Sequence, residues 1–107
     1  MQLGHFCCDV MLGQKVLMSL DVHDDFITYE VYDEEQLKYI WEFRNEITAG
    51  NIYEWLLSRL PDDNRQNLLS ECAKYGIRPI GADIFRISKG KQLYDKYWFK
   101  FPDSKNI

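Results

Sequence analysis

The chain has 107 residues, which suits one small domain with a modest core. Hydrophobic residues make up 46% and charged residues 28%, an ordinary composition for a soluble globular protein. The formal charge of −4 argues against a non-specific nucleic-acid binder, which needs a basic face to neutralise phosphates. The opening stretch MQLGHFCCDVMLG has no basic segment, and His5 and Asp9 interrupt its apolar run, so no signal peptide is expected. Nothing approaches the run of about 18 apolar residues that spans a bilayer. Three cysteines, two of them adjacent (Cys7, Cys8, Cys72), make a poor disulfide framework and point to a reducing cytoplasm.

Residues 5–32 alternate with period two, and their β-branched and aromatic side chains suit strands. Val16, Met18, Leu20 and Val22 are expected on one face, with Leu17, Ser19, Asp21 and His23 on the other. Gly13-Gln14 fits a tight turn, and His23-Asp24-Asp25 marks a second. The expectation is a three-stranded antiparallel meander near 5–12, 15–23 and 26–32.

From Asp33 the period changes. DEEQLKYIWEFR reads as a short helix with Leu37, Ile40 and Trp41 inward. NIYEWLLSRL places Ile52, Trp55, Leu56 and Leu60 on one stripe, with Asn51 as N-cap, Glu54 completing a capping box and Pro61 ending the helix. In the following helix, Asp62 or Asp63 is the expected cap. Its apolar stripe is Leu68, Leu69, Cys72 and Tyr75, and Gly76 closes it. ADIFRISKG reads as one more short helix ending at Gly90. KYWFKF reads as a short strand or extended tail, closed by Pro102. The fold class is therefore α+β: a small antiparallel sheet, a meander plus a possible C-terminal strand, with three or four short helices on one face.

Three stretches, EVYDEEQL, YEWLLSRLPDDNRQNLL and LYDKYWFKF, together resemble the N-terminal region of HipA-like serine/threonine kinases. The matching residues are Glu30, Val31 and Tyr32; Trp55; Arg59 and Pro61; Arg65; and Asp95, Tyr97 and Trp98. The resemblance runs from about Phe6 to Phe101, and its motifs are moderately specific through their order and spacing. In that family a kinase body follows the D-x-Y-W signature. Here SKGKQ lacks the spacing of a phosphate-binding loop, and no stretch of catalytic-loop type occurs. The resemblance therefore implies a freestanding counterpart of the N-terminal module, without kinase activity, ATP or magnesium. Some toxin–antitoxin systems related to the family encode that module as a separate small protein that restrains the kinase.

The remaining constellations each have an ordinary structural role beside a chemical one. His5, Cys7 and Cys8, with Cys72 or His23, are metal-ligand types, but neighbouring Cys7 and Cys8 point to opposite faces of a strand. Core packing is the expected role, with no metal and no cofactor. A Cys–His nucleophile pair lacks any oxyanion-hole motif, so no enzyme is expected. The acidic groups Asp24-Asp25, Asp33-Glu34-Glu35 and Asp62-Asp63 sit at turns and helix starts, where carboxylates favour capping. Arg59 and Arg65 are expected to tie helix ends to carboxylates, or else to meet a partner.

Three tryptophans, seven tyrosines and six phenylalanines exceed what so small a core absorbs, so aromatic surface is expected. The expected partner-contact residues are Tyr97, Trp98, Asp95, Arg59 and Arg65, with residues 94–101 bordering the surface. The function expected is a non-catalytic protein-binding module whose partner is another protein, such as a HipA-like kinase body. It makes no direct contact with nucleic acid or membrane, and a homodimer is compatible with it. Two other classes remain open: an acidic phage or mobile-element inhibitor of a nucleic-acid-binding protein, and a small Cys/His metal protein or enzyme.

Overall fold

A computed structural model describes residues 3–60, 65–92 and 95–102, the side chains of residues 65–67 aside. The alternating segments form β1 (Phe6–Leu12), β2 (Lys15–Val22) and β3 (Ile27–Val31), and the C-terminal aromatic run forms β4 (Tyr97–Lys100). All pairings are antiparallel, in the order β3-β2-β1-β4. The meander lies within a residue of its expected boundaries, and the C-terminal segment adds a strand beside β1. Among the described residues, four helices follow the meander before β4: α1 (Glu34–Leu37), α2 (Ala49–Ser58), α3 (Arg65–Tyr75) and α4 (Gly81–Ser88). A 3-10 turn, Trp41–Phe43, lies between α1 and α2. The fold is α+β, as the sequence implies.

The core lies between one sheet face and the helices. Phe6, Cys8, Val10, Leu20, Val22 and Phe99 meet Leu37, Phe43, Ile52, Trp55, Leu56 and Phe85 there. The opposite sheet face carries Cys7, Asp9, Ser19, Asp21 and Thr28 and is open, as one face of an antiparallel sheet commonly is. No helix among the described residues is long and apolar enough to cross a membrane. None of the three cysteines forms a disulfide.

Four local expectations are corrected. The alternation in β2 breaks at Leu17: Val10 pairs with Met18, but Met11 pairs with Val16, so Leu17 is an extra, bulged residue. Leu17 therefore joins Met18 in the core instead of facing out, and Val16 is only partly buried. Trp41 is exposed (69%), and Phe43 fills the inward position. The reason is that α1 stops after one turn, Ile40 is extended, and the chain resumes as a 3-10 turn with a different angular phase.

The N-cap of α2 is Thr48, not Asn51. Thr48 is extended and its Oγ1 accepts from the Asn51 N–H at 3.1 Å, while the Asn51 side chain donates to the Glu46 carbonyl. Ile52, Trp55 and Leu56 are buried as expected, and Leu60 packs partly against the core. In α3, Leu69 and Tyr75 are exposed, and Cys72 is the buried member of the expected stripe. The helix is polar over most of its surface, so only a narrow strip is covered.

The last helix ends at Ser88, with Lys89 left-handed as its C-cap, two residues before the expected Gly90, whereas the ends of α3 and α1 follow the sequence. After α3, Ile77 N–H reaches Cys72 O and Gly76 N–H reaches Ala73 O, the two bonds of a Schellman cap. Asp33 caps α1 through the Gln36 N–H, with Glu34 and Glu35 in the first turn. Pro61, Asp62 and Asp63 lie outside the described residues, as does the side chain of Arg65.

Candidate functional site

The C-terminal strand is held by one buried cation. Arg59 follows the last turn of α2, and its side chain is only 3% exposed. A buried guanidinium needs acceptors for its fork of donors, and the chain supplies them from more than thirty residues away. Nη1 and Nη2 donate to Asp95 Oδ2 and Oδ1 at 2.8 and 3.0 Å, a two-pronged ion pair. Nε donates to the Gly90 carbonyl at 2.7 Å and Nη2 to the Tyr97 carbonyl at 3.0 Å. The guanidinium also sits 5.0 Å above the Trp55 ring. Gln92 Nε2 returns a bond to the Arg59 carbonyl at 2.8 Å. The end of α2, the segment after α4 and the start of β4 are thereby fastened together.

Gly90 is required in this arrangement. Its φ is +65°, and a Cβ there would lie 2.4 Å from the Phe99 ring. Phe99 in turn donates its backbone N–H to the Lys89 carbonyl at 2.6 Å. Tyr97 packs edge-on against Trp55 at 6.4 Å, and burial, with the Asp95 charge beside it, pushes its phenol above the ordinary value.

This lock forms one wall of a surface groove of about 280 Å³. Arg59, Asp95, Tyr97, Tyr39 and Trp41 are among the residues that line it. Tyr39 is 81% exposed, and Trp41 carries the Arg44 guanidinium 3.5 Å above its ring. A second groove, about 560 Å³, adjoins on the far side of Trp41 and is lined by Glu42, Arg44, Asn51 and Glu54. Both share Trp41, Glu42 and Ser58, so the tryptophan stands as a ridge between two depressions.

Of the expected contact residues, Arg59, Asp95 and Tyr97 are thus brought together, and their polar atoms are spent largely on one another. Trp98 projects from the opposite sheet face, cross-strand from Met11, and its indole donates to the Gly13 carbonyl at 3.0 Å. Tyr39 and Trp41 were not among the expected contacts. The signal for them in the sequence is the short, interrupted helix pattern around residues 34–43, which cannot bury Leu37, Ile40, Trp41 and Phe43 together.

A second cluster lies at the other end of the sheet. Cys7 pairs with Asp21 across β1 and β2, and its Sγ donates to Asp21 Oδ1 at 3.3 Å. His5 Nε2 and His23 Nε2 lie 3.2 and 3.1 Å from that same oxygen. The two imidazoles stack at 4.3 Å, and Phe26 stacks on His23 at 4.3 Å. The Cys7 hydrogen bond, followed by those of His23 and His5, holds the Asp21 carboxyl below its ordinary value. Cys8 lies on the buried face and Cys72 on α3, so neither joins this group. Burial pushes the Cys8 thiol far above its ordinary pKa, which makes it inert. Asp21 carries no ligand signal in the sequence, because only the strand register sets it opposite Cys7 and beside the two histidines.

No family model, curated protein or solved structure matches the chain. The likeness to the N-terminal region of HipA-like kinases therefore rests on the quoted residues alone.

Proposed function

We propose that this chain is a non-catalytic, cytoplasmic protein-binding module that docks a partner over Trp41. The observation that carries the reading is the pair of exposed aromatics, Tyr39 and Trp41, standing beside grooves whose wall is fixed by the Arg59–Asp95 lock. Aromatic side chains next to a rigid depression supply contact area at small entropic cost, which is how interface anchors work. The Arg59 charge is spent on Asp95, and in the larger groove two carboxylates, Glu42 and Glu54, stand against one cation, Arg44, which lies over the Trp41 ring. The surface therefore suits a partner that presents basic residues around an apolar centre.

The partner is another protein. On the resemblance of Glu30-Val31-Tyr32, Arg59 and Asp95-x-Tyr97-Trp98, it is a HipA-like kinase body, with this chain as the small separate component of a toxin–antitoxin pair. The test is a calorimetric titration with a HipA-like kinase body that lacks its own N-terminal module. Trp41→Ala is expected to weaken binding at least about tenfold, an anchor-sized loss, with an unchanged melting temperature. Trp98→Ala, on the opposite sheet face, is the comparison. Equal binding by wild type and Trp41→Ala would discard the groove, and no binding by wild type would discard the kinase partner.

A further inference from the structure

The open sheet face carries four ligand-type side chains in a two-by-two array. Cys7 and Asp21 are direct cross-strand partners. His5 and His23 sit two residues beyond them, on the same face, and continuing the register places them opposite each other. The bulge at Leu17 creates this alignment. A straight hairpin continued from the Leu12–Lys15 pair would put Cys7 opposite Leu20; the extra residue shifts it to Asp21.

Two ring nitrogens and a thiol converge on one oxygen. Both Nε2 nitrogens and the Cys7 thiol lie 3.1–3.3 Å from Asp21 Oδ1. A carboxylate has about four lone-pair sites over two oxygens, so about two per oxygen, fewer than three donors would need. A single dication at this point uses every one of these atoms better, because each donor atom becomes a ligand when its proton is absent. The imidazoles achieve this by holding their proton on Nδ1, and the thiol by releasing one proton to solvent.

The spacing fits. A tetrahedral site with zinc-type bond lengths separates ligand atoms by about 3.3–3.8 Å. The two nitrogens and the Asp21 oxygen lie within 4.8 Å of one another, on side chains exposed enough to adjust. A thiolate and a carboxylate neutralise a dication, and two imidazoles with one thiolate select a zinc-class metal over magnesium or calcium. Phe26, stacked on His23, shields one side of the group.

We propose that His5 Nε2, His23 Nε2, Asp21 Oδ1 and Cys7 Sγ form a tetrahedral site for one zinc-class divalent metal ion. The test is a Co²⁺ titration of the full chain, free of any affinity tag, near neutral pH. One equivalent is expected to give the visible bands of tetrahedral cobalt with a thiolate charge-transfer band in the near ultraviolet, both abolished by one equivalent of Zn²⁺. His5→Ala and His23→Ala are each expected to weaken binding at least about tenfold, the loss already seen for groups that only support a ligand. Cys7→Ser is expected to keep the visible bands and lose the charge-transfer band. Asp24→Asn, at the neighbouring exposed bend, is expected to bind as wild type does. Circular dichroism of each variant establishes that the fold is kept; Cys7→Ser, with its near-isosteric exposed side chain, remains decisive if a histidine variant unfolds. Absence of either band in the wild-type chain, or unchanged affinity in both histidine variants, would overturn the site.

Discussion

Removing the Asp95 carboxylate leaves the Arg59 guanidinium, only 3% exposed, without its charge partner. Breaking a fully buried pair from one side costs about 3–5 kcal/mol. The Asp95 side chain is 33% exposed, so solvent screens part of the interaction, and Asp95→Ala is expected to cost about 2–3 kcal/mol in urea denaturation. Arg59→Lys is expected to cost a similar amount, since an ammonium cannot span Asp95, Gly90 and Tyr97 together. A loss below about 0.5 kcal/mol in both, the range of ordinary surface changes, would show that the lock does not hold β4. The sequence made Arg59 legible as a side chain needing a carboxylate. It did not reveal which one, because Asp95 is distant in the chain and competes with many acids.

At the scale of elements, α2 separates two kinds of tryptophan. Trp55 lies mid-stripe against Phe43, Tyr97 and Phe99, so Trp55→Ala is expected to cost about 3–5 kcal/mol. Trp41→Ala, on the exposed ridge, is expected to change stability by less than about 1 kcal/mol. Equal losses would place both rings in the core and remove the groove's anchor.

The start of α2 gives a second comparison. Thr48→Ala is expected to cost about 1 kcal/mol through the lost cap, and more than Asn51→Ala, whose side-chain bond is on the surface. Strands and buried stripes were legible because alternation and helical spacing leave periodic marks. Leu17 was not, because one extra apolar residue next to Met18 leaves the local pattern apolar either way. Thr48 was overlooked because the Asn51-x-x-Glu54 spacing imitates a capping box three residues later.

For the whole molecule, acid sensitivity reports how the elements are joined. Asp33 is held below its ordinary value by the Lys15 ammonium and the Gln36 N–H, and Asp83 by Arg78. Carboxyls lowered in the folded state contribute stability that is fully present above the ordinary carboxylate range, about pH 4, and is lost as pH falls through their lowered values. Melting temperature is therefore expected to fall on acidification through that window, and Asp33→Asn is expected to flatten part of the decline. An unchanged decline would show that the Lys15–Asp33 pair, which joins β2 to α1, does not contribute.

The architecture was readable from pattern and turn chemistry, whereas both candidate sites depend on contacts between distant residues. The groove requires α1 to break early so that Trp41 turns outward. The ligand array requires a register shift of one residue. Docking of a protein over Trp41 is read out by amide chemical-shift changes in the isotope-labelled chain as an unlabelled HipA-like kinase body is added. The expected result is that changes concentrate at residues 39–44, 51–59 and 95–97, with β3 and the outer sheet face unperturbed. Changes centred on Trp98 and the open sheet face, or none at saturating partner, would contradict the account.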